Sequence, residues 1–286
     1  MTSSMPPATP SDRPWADASA VLPVCVAGAT GWTGRAVAEA VLAADDLWLA
    51  SAVARTAAGT DLGQAWGGGA NGVPVTASVA DALDGVRVLV DYTSHEAVLG
   101  HVLAAIDRGV NVVIGSSGLT AADLAAIDAA ATANGVGVVA AGNFSLTAAM
   151  AAAAAELVAR YLPEREIVDY ASAGKADSPS GTARELAERL GAISRPTLEV
   201  PLDQTAGLVQ ARGASIAGTQ VHSVRLPSFV VSTEVVFALP DERLVIRHDA
   251  GPTPAPYVAG TLLAVRAAPT FVGLVRGLDR VLSLRA

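Results

Sequence analysis

The chain has 286 residues, of which 51% are hydrophobic and 16% charged, with a formal net charge of −8. That length is generous for one domain and comfortable for two. The acidic balance, with no basic block, speaks against a nucleic-acid partner, and no apolar run approaches the ~18–20 residues of a membrane span, so no membrane partner is expected.

Residues 1–20 are rich in Pro, Ser, Ala and Asp. They lack a basic n-region and an apolar h-region, so they are expected to form a disordered leader and not a secretory signal. From Val21 onward apolar strands alternate with alanine-rich helices. Strands are predicted over 21–27, 47–55, 86–92, 111–115 and 136–140, and helices over 33–44, 95–108 and 121–134. This rhythm implies a parallel sheet with helices on both faces. The single cysteine, Cys25, sits inside the first apolar run and reads as a buried core thiol; with no disulfide possible within the chain, a cytoplasmic home fits.

After a long helix over 146–161 the pattern changes. A strand at 166–171 leads into a polar loop, and a helix over 182–190 follows, with Thr182 and Glu185 as a capping box. Between 208 and 248 come runs of period 2 with no helix between them, clearest at 230–239 and 243–248, which suggest a mostly antiparallel sheet. A helix over 257–268 returns toward the first domain. The expected fold is α/β: a doubly wound parallel sheet formed by 21–145 and 250–286, and a second α+β domain of mostly antiparallel sheet formed by 146–249.

Two loops carry chemistry. Gly28-Ala29-Thr30-Gly31-Trp32-Thr33-Gly34 follows a strand and opens a helix. Glycines at that spacing allow a tight turn and close approach of backbone to a pyrophosphate, which then faces helix N–H groups. The second strand ends at Arg55-Thr56, where an NAD-selective site usually has a carboxylate. Arg55 and Thr56 suit a 2′-phosphate, so NADPH is the expected cofactor, with NADH also admitted. Later strand ends, Asp91-Tyr92-Thr93, Gly115-Ser116-Ser117-Gly118 and Asn143-Phe144, are expected to face the cofactor as well, because ligands of such sheets lie beyond the carboxyl ends of the strands.

The second loop is Lys175-Ala176-Asp177-Ser178-Pro179-Ser180-Gly181-Thr182. The N–H groups at Ser180-Gly181-Thr182 open a helix and can bind a carboxylate, while Lys175 can donate a proton. A small anionic substrate is the expected partner, and no metal is expected. Ser172-Ala173-Gly174-Lys175 also matches the Ser-x-x-Lys pattern of some hydrolases, but it follows a strand where that pattern belongs at a helix start. Of the histidines in the second domain, His222 and His248, His222 is the one taken as a substrate-binding candidate.

These motifs resemble the 4-hydroxy-tetrahydrodipicolinate reductase (dihydrodipicolinate reductase) family, over nearly everything from Val21 to Leu284. The lysine loop is similar to the family's Lys-x-Asp-Ala-Pro-Ser-Gly-Thr-Ala. Asp91-Tyr92-Thr93 is similar to Asp-Phe-Thr, Gly115-Ser116-Ser117-Gly118 to Gly-Thr-Thr-Gly, and Asn143-Phe144-Ser145 to Asn-Phe-Ser. The resemblance implies NAD(P)H-dependent reduction of a cyclic imine dicarboxylate, with Lys175 assisting protonation, Gly181 and Thr182 binding a carboxylate, and a homotetramer built through the second domain's sheet.

One departure stands out. Where the family carries a His-His pair, whose first member is its proton donor, this chain has Ala171 and Ser172. A further family histidine is replaced by Gln220, with His222 two residues on. Three functions stay open: a lysine-pathway reductase of weakened activity, a related reductase of another imino or enone acid, and a non-catalytic binding protein on the same scaffold.

Overall fold

The computed structural model describes residues 21–283, so the leader expected at 1–20 lies outside the described residues. In chain order the first elements are β1 Leu22–Ala27, α1 Trp32–Leu42, β2 Leu47–Val53, α2 Leu62–Ala65, β3 Val75–Thr76, α3 Val79–Ala82 and β4 Val88–Asp91. Then come α4 Val98–Asp107, β5 Asn111–Ile114, α5 Ala121–Asn134, β6 Gly137–Ala140 and α6 Leu146–Ala159. The middle of the chain forms β7 Arg165–Ala171, α7 Gly181–Ile193, β8 Ala214–Ile216, β9 Thr219–Arg225, β10 Val231–Leu239 and β11 Glu242–Ala250. The last elements are α8 Ala255–Ala267, β12 Gly273–Arg276 and α9 Leu278–Ser283.

The chain divides into two compact units, after Phe144 and again before Tyr257, with Ser145–Pro256 as the second. The first unit holds a seven-stranded sheet in the order β12-β6-β5-β4-β1-β2-β3, with every pairing parallel. The order reverses between β1 and β4, which is the switch point of a doubly wound fold. Both faces are covered. Cys25, Ala27, Leu89, Val112 and Val138 pack with residues of α3, α4 and α5 on one face. The alternate residues Val24, Val26, Val88, Val90, Val113 and Val139 point the other way and are equally buried. Strands enclosed on both faces read as unbroken apolar runs, and this is why the sequence marked them so clearly. Burial pushes the Cys25 thiol up to about 12, an inert core residue.

The second unit holds a five-stranded sheet, β11-β10-β7-β9-β8. The β11–β10, β10–β7 and β9–β8 pairings are antiparallel and β7–β9 is parallel. β7 alternates buried and half-buried residues, as a strand with one covered face should. Ile167, Val221, Val235 and Phe237 pack beneath Ala183, Leu186, Ala187 and Leu190 of α7 and Ala155 and Ala159 of α6. Cutting Leu190 back to alanine would cost ~2–5 kcal/mol of that core.

Several boundaries differ from the sequence expectations. β2 stops at Val53, and Arg55 and Thr56 lie in a 3-10 turn, Arg55–Ala57. α4 begins at Val98, leaving His95 in the turn before it. The stretch 208–248 contains a 3-10 turn, Val209–Arg212. The cap of α7 is Ser180, whose Oγ accepts from Ala183 N, and not Thr182 with Glu185. A serine two residues earlier can reach the third helical N–H, while Thr182 already lies inside the first turn. The sequence gives no sign of the edge strands β3 and β12: β3 is two residues long, and β12 buries only Gly273, so neither reads as an apolar run.

Candidate functional site

The glycine turn after β1 takes its shape from sterics. Gly28 has φ +83°, and a Cβ there would overlap the backbone carbonyl of Tyr92. A Cβ on Gly34 would overlap the carbonyl of Gly28. Gly31 is the N-cap of α1, with no side chain to cap it and no acidic residue in the first turn. An eleven-residue helix thus presents an uncapped, positively polarised N-terminus beside exposed Thr30, Trp32 and half-buried Thr33. Ala29 is fully buried. This cradle fits the pyrophosphate of a dinucleotide. Arg55 and Thr56 are both exposed on the 3-10 turn at the neighbouring strand end, and Arg55 has no ion-pair partner among the described residues.

Trp66 also belongs to this turn, and nothing in the sequence pointed to it. It lies 37 residues from Ala29, and its Nε1 donates to the Ala29 carbonyl at 3.0 Å. The Arg35 guanidinium lies over its ring, 5.3 Å from the centroid.

The next two strand ends are joined through Asp91. Its carboxylate is fully buried and accepts from Thr93 N at 3.0 Å, Thr93 Oγ1 at 2.8 Å, Ser116 Oγ and His101 Nδ1 at 2.8 Å. Because the carboxylate only accepts, His101 carries its proton on Nδ1. Burial pushes the Asp91 carboxyl up, but the hydrogen bonds from His101, Ser116 and Thr93 outweigh it and hold the pKa below the usual range. All of this acts inward. Asp91 was expected to face the cofactor; its carboxylate instead fixes the turns of Thr93 and Ser116.

Tyr92 donates its hydroxyl to Thr261 Oγ1 at 2.7 Å, since the Thr261 hydrogen goes to the Tyr257 carbonyl. The ring lies directly under Gly115, where any Cβ would overlap it, and edge-on to Phe144 at 6.2 Å. Burial raises the phenol's pKa, so it stays protonated. Ser117 is exposed, Asn143 half-buried and Phe144 buried.

In the second unit, β7 ends at buried Ala171 and the chain turns through half-buried Ser172 to Lys175, whose N–H donates to the Ser172 carbonyl at 3.0 Å. The Lys175 ammonium pairs with Asp177 Oδ1 at 2.7 Å. Both groups are partly exposed, so the pair is worth at most ~1 kcal/mol and opens readily for a ligand. Gly181 and Thr182 form the first turn of α7, where backbone N–H groups have no carbonyl partner within the helix, and a Cβ on Gly181 would meet nothing within 4 Å.

Two expected substrate ligands are employed otherwise. Ser180 is 3% exposed; its Oγ donates to Asp169 Oδ1 at 2.7 Å and its N–H to Asp169 Oδ2 at 2.8 Å. It anchors the loop and has no donor left for a substrate. His222 Nε2 lies 2.8 Å from Glu166 Oε2, and the same carboxylate holds Arg212. His222 pairs in register with Val168, on the face opposite Ile167 and Asp169, so strand alternation turns it away from α7 and from Ser180. His248 lies 3.3 Å from Ser145 Oγ at the start of α6, and burial depresses its pKa.

Residues 22–144 match the family profile described as dihydrodipicolinate reductase, N-terminus, and residues 144–282 match its C-terminus. The chain is 36% identical over 266 residues to the 4-hydroxy-tetrahydrodipicolinate reductase of Moorella thermoacetica, covering 92% of this chain and 98% of that protein. It is 36% identical over 270 residues to the enzyme of the same name from Synechococcus elongatus, covering 91% and 98%. Among solved structures, a dipicolinate-bound dihydrodipicolinate reductase from a Paenisporosarcina species superposes with TM-score 0.74 at 26% identity, covering 91% of this chain and 99% of that one. With both halves matched and the match running nearly end to end, the chain belongs to the dihydrodipicolinate reductase family.

Proposed function

We propose that this protein is an NADPH-dependent reductase of a cyclic imine dicarboxylate, the substrate class of 4-hydroxy-tetrahydrodipicolinate reductase, with weakened activity because its proton donor is altered. The observation that carries it is Lys175, paired with Asp177 in the loop that leads into the first turn of α7 at Gly181. Binding alone would not need both the lysine loop and the glycine cradle.

A bound nicotinamide would supply hydride. The chain's own residues do the rest. Gly28, Gly31 and Gly34 shape the turn, and the first N–H groups of α1 take the pyrophosphate. Arg55 and Thr56 take a 2′-phosphate, which favours NADPH while still admitting NADH. Thr93, Gly115, Ser116, Ser117, Asn143 and Phe144 line the approach of the nicotinamide, in turns that Asp91 and Tyr92 hold from behind. Gly181 and Thr182 bind one substrate carboxylate, and Ser172 lies beside it. The Lys175 ammonium exchanges Asp177 for the substrate and assists the protonation that accompanies hydride transfer.

Ala171 and Ser172 stand where the family's pattern has two histidines. A missing general acid costs ~10²–10⁴-fold. A pocket reshaped at these positions also suits another imino or enone acid, which is the second candidate substrate class. We also propose a cytoplasmic homotetramer. Its support is the sheet face turned away from α6 and α7, where Val168, Tyr170, Val236 and Val245 alternate with Glu166, Glu234 and Arg247 and are covered by no helix among the described residues. Sedimentation in solution tests the assembly; a monomer at micromolar concentration refutes it.

Turnover of freshly prepared 4-hydroxy-tetrahydrodipicolinate with NADPH tests the reaction. Slow but measurable reduction is expected, and the Ala171→His, Ser172→His double variant should raise it ~10-fold or more if the acid is what limits. NADPH binding without turnover, together with activity on other cyclic imino acids, would transfer the assignment to the second class. Failure to bind NADPH would end it.

A further inference from the structure

We infer that Arg225 is a positioning residue for the Lys175 loop, tying the loop's backbone to β7 so that Lys175 and the Gly181 N–H are presented together. The inference rests on the proposed role of that loop and adds to it a cation 48 residues from Asp177 in sequence.

The contacts form a strap. Arg225 Nη2 donates to Asp169 Oδ2 at 2.8 Å and to the Asp177 carbonyl at 2.8 Å. Its Nη1 donates to the Asp169 carbonyl at 3.2 Å and to the Val224 carbonyl at 3.0 Å. Asp169 is fully buried, and besides Arg225 it takes both donors of Ser180 and the Ser223 hydroxyl at 3.3 Å. The loop is therefore anchored at two points, the Asp177 carbonyl and Ser180, on either side of Ser178-Pro179. The residue whose carbonyl Arg225 holds is also the residue whose carboxylate holds the Lys175 ammonium. From Arg225 the chain of contacts runs through Asp177 to the reacting amine, and through Asp169 and Ser180 to the start of α7.

Three features favour positioning over ligand binding or plain stability. Asp169 neutralises the guanidinium, and only 16% of the Arg225 side chain is exposed, so it is a poor anion site. Its planar fork reaches acceptors on β7 and on the loop at once, a geometry an ammonium cannot copy. Its Nε is buried with no hydrogen-bond partner among the described residues. An unsatisfied buried donor costs stability, so stability alone does not account for a guanidinium there. Displacing a reacting group by about 1 Å costs ~10²-fold in rate, which sets the scale of what such a strap protects.

The test compares the full-length protein with its R225Q and R225K variants. Three quantities are read: binding of pyridine-2,6-dicarboxylate by calorimetry, binding of NADPH by fluorescence, and amide hydrogen exchange. For R225Q, dicarboxylate affinity should fall ~10-fold or more while NADPH affinity stays within about twofold. Exchange over residues 173–182 should accelerate ~10-fold, with β10 unchanged. R225K should recover part of both losses, and it decides the matter if R225Q fails to fold. A folded variant with unchanged dicarboxylate binding and unchanged loop exchange overturns the inference, as does an equal loss of both ligands. If the wild-type protein binds NADPH but neither binds the dicarboxylate nor reduces the imine, the reductase assignment fails by itself. The exchange result then still upholds or overturns the strap.

Discussion

The glycine turn after β1 holds its shape because nothing larger fits: a methyl group on Gly28 or Gly34 would overlap backbone that is already in place. The Lys175 loop is held in another way. A Cβ on Gly174 or Gly181 would meet nothing within 4 Å. Its form comes from charge and hydrogen bonds, Asp169 with Ser180 and Arg225, and Asp177 with Lys175. A sterically made turn is rigid and takes the same pyrophosphate whatever the substrate. An electrostatically made loop can exchange one of its partners for a ligand, as proton delivery requires. The first is damaged by adding atoms, the second by removing charges.

The largest expected effect tests the second half of that contrast. Lys175→Ala should lower kcat by ~10²–10⁴-fold, the usual cost of losing a general acid, while NADPH affinity changes less than about twofold. Steady-state rates with a fluorescence titration check it, and a parallel loss of NADPH binding would show that the loops are not separable. Gly34→Ala does the converse. The added methyl forces the turn open at ~1–3 kcal/mol, so NADPH affinity should fall ~10–100-fold while binding of pyridine-2,6-dicarboxylate is kept.

Asp91 is where the first unit also relies on charge. Its carboxyl is held below its ordinary pKa, so the stability it contributes is present above the unfolded value near ~4 and is lost as pH falls through the lower folded value. Asp91→Asn should cost ~1–3 kcal/mol at neutral pH, and the gap to wild type should close on acidification, read from urea midpoints between about pH 7 and pH 3. The smallest effect is expected at Arg55. Arg55→Ala should raise KM for NADPH ~10-fold and leave KM for NADH nearly unchanged, because the side chain is exposed and its proposed service is to one phosphate. Equal shifts for both cofactors would place the 2′-phosphate elsewhere.

From residue order alone came everything with a local cause. Apolar runs enclosed on both faces announced β1, β2, β4, β5 and β6, glycine spacing announced the tight turn after β1, and a lysine ahead of a helix opening announced the second loop. β3 is only two residues long, and β12, at the sheet edge, buries only Gly273, so neither gave an apolar run to read. Pairing across distance was invisible as well. No pattern could tell that Trp66 would bond Ala29, that Arg225 would hold Asp177, that Asp91 and Ser180 would spend their polar atoms inward, or that His222 would turn to Glu166 and leave α7 behind. A glycine's freedom or a strand's alternation is written within a few neighbouring residues. The partner of a buried charge is chosen by which strands lie side by side, and that choice belongs to the folded chain.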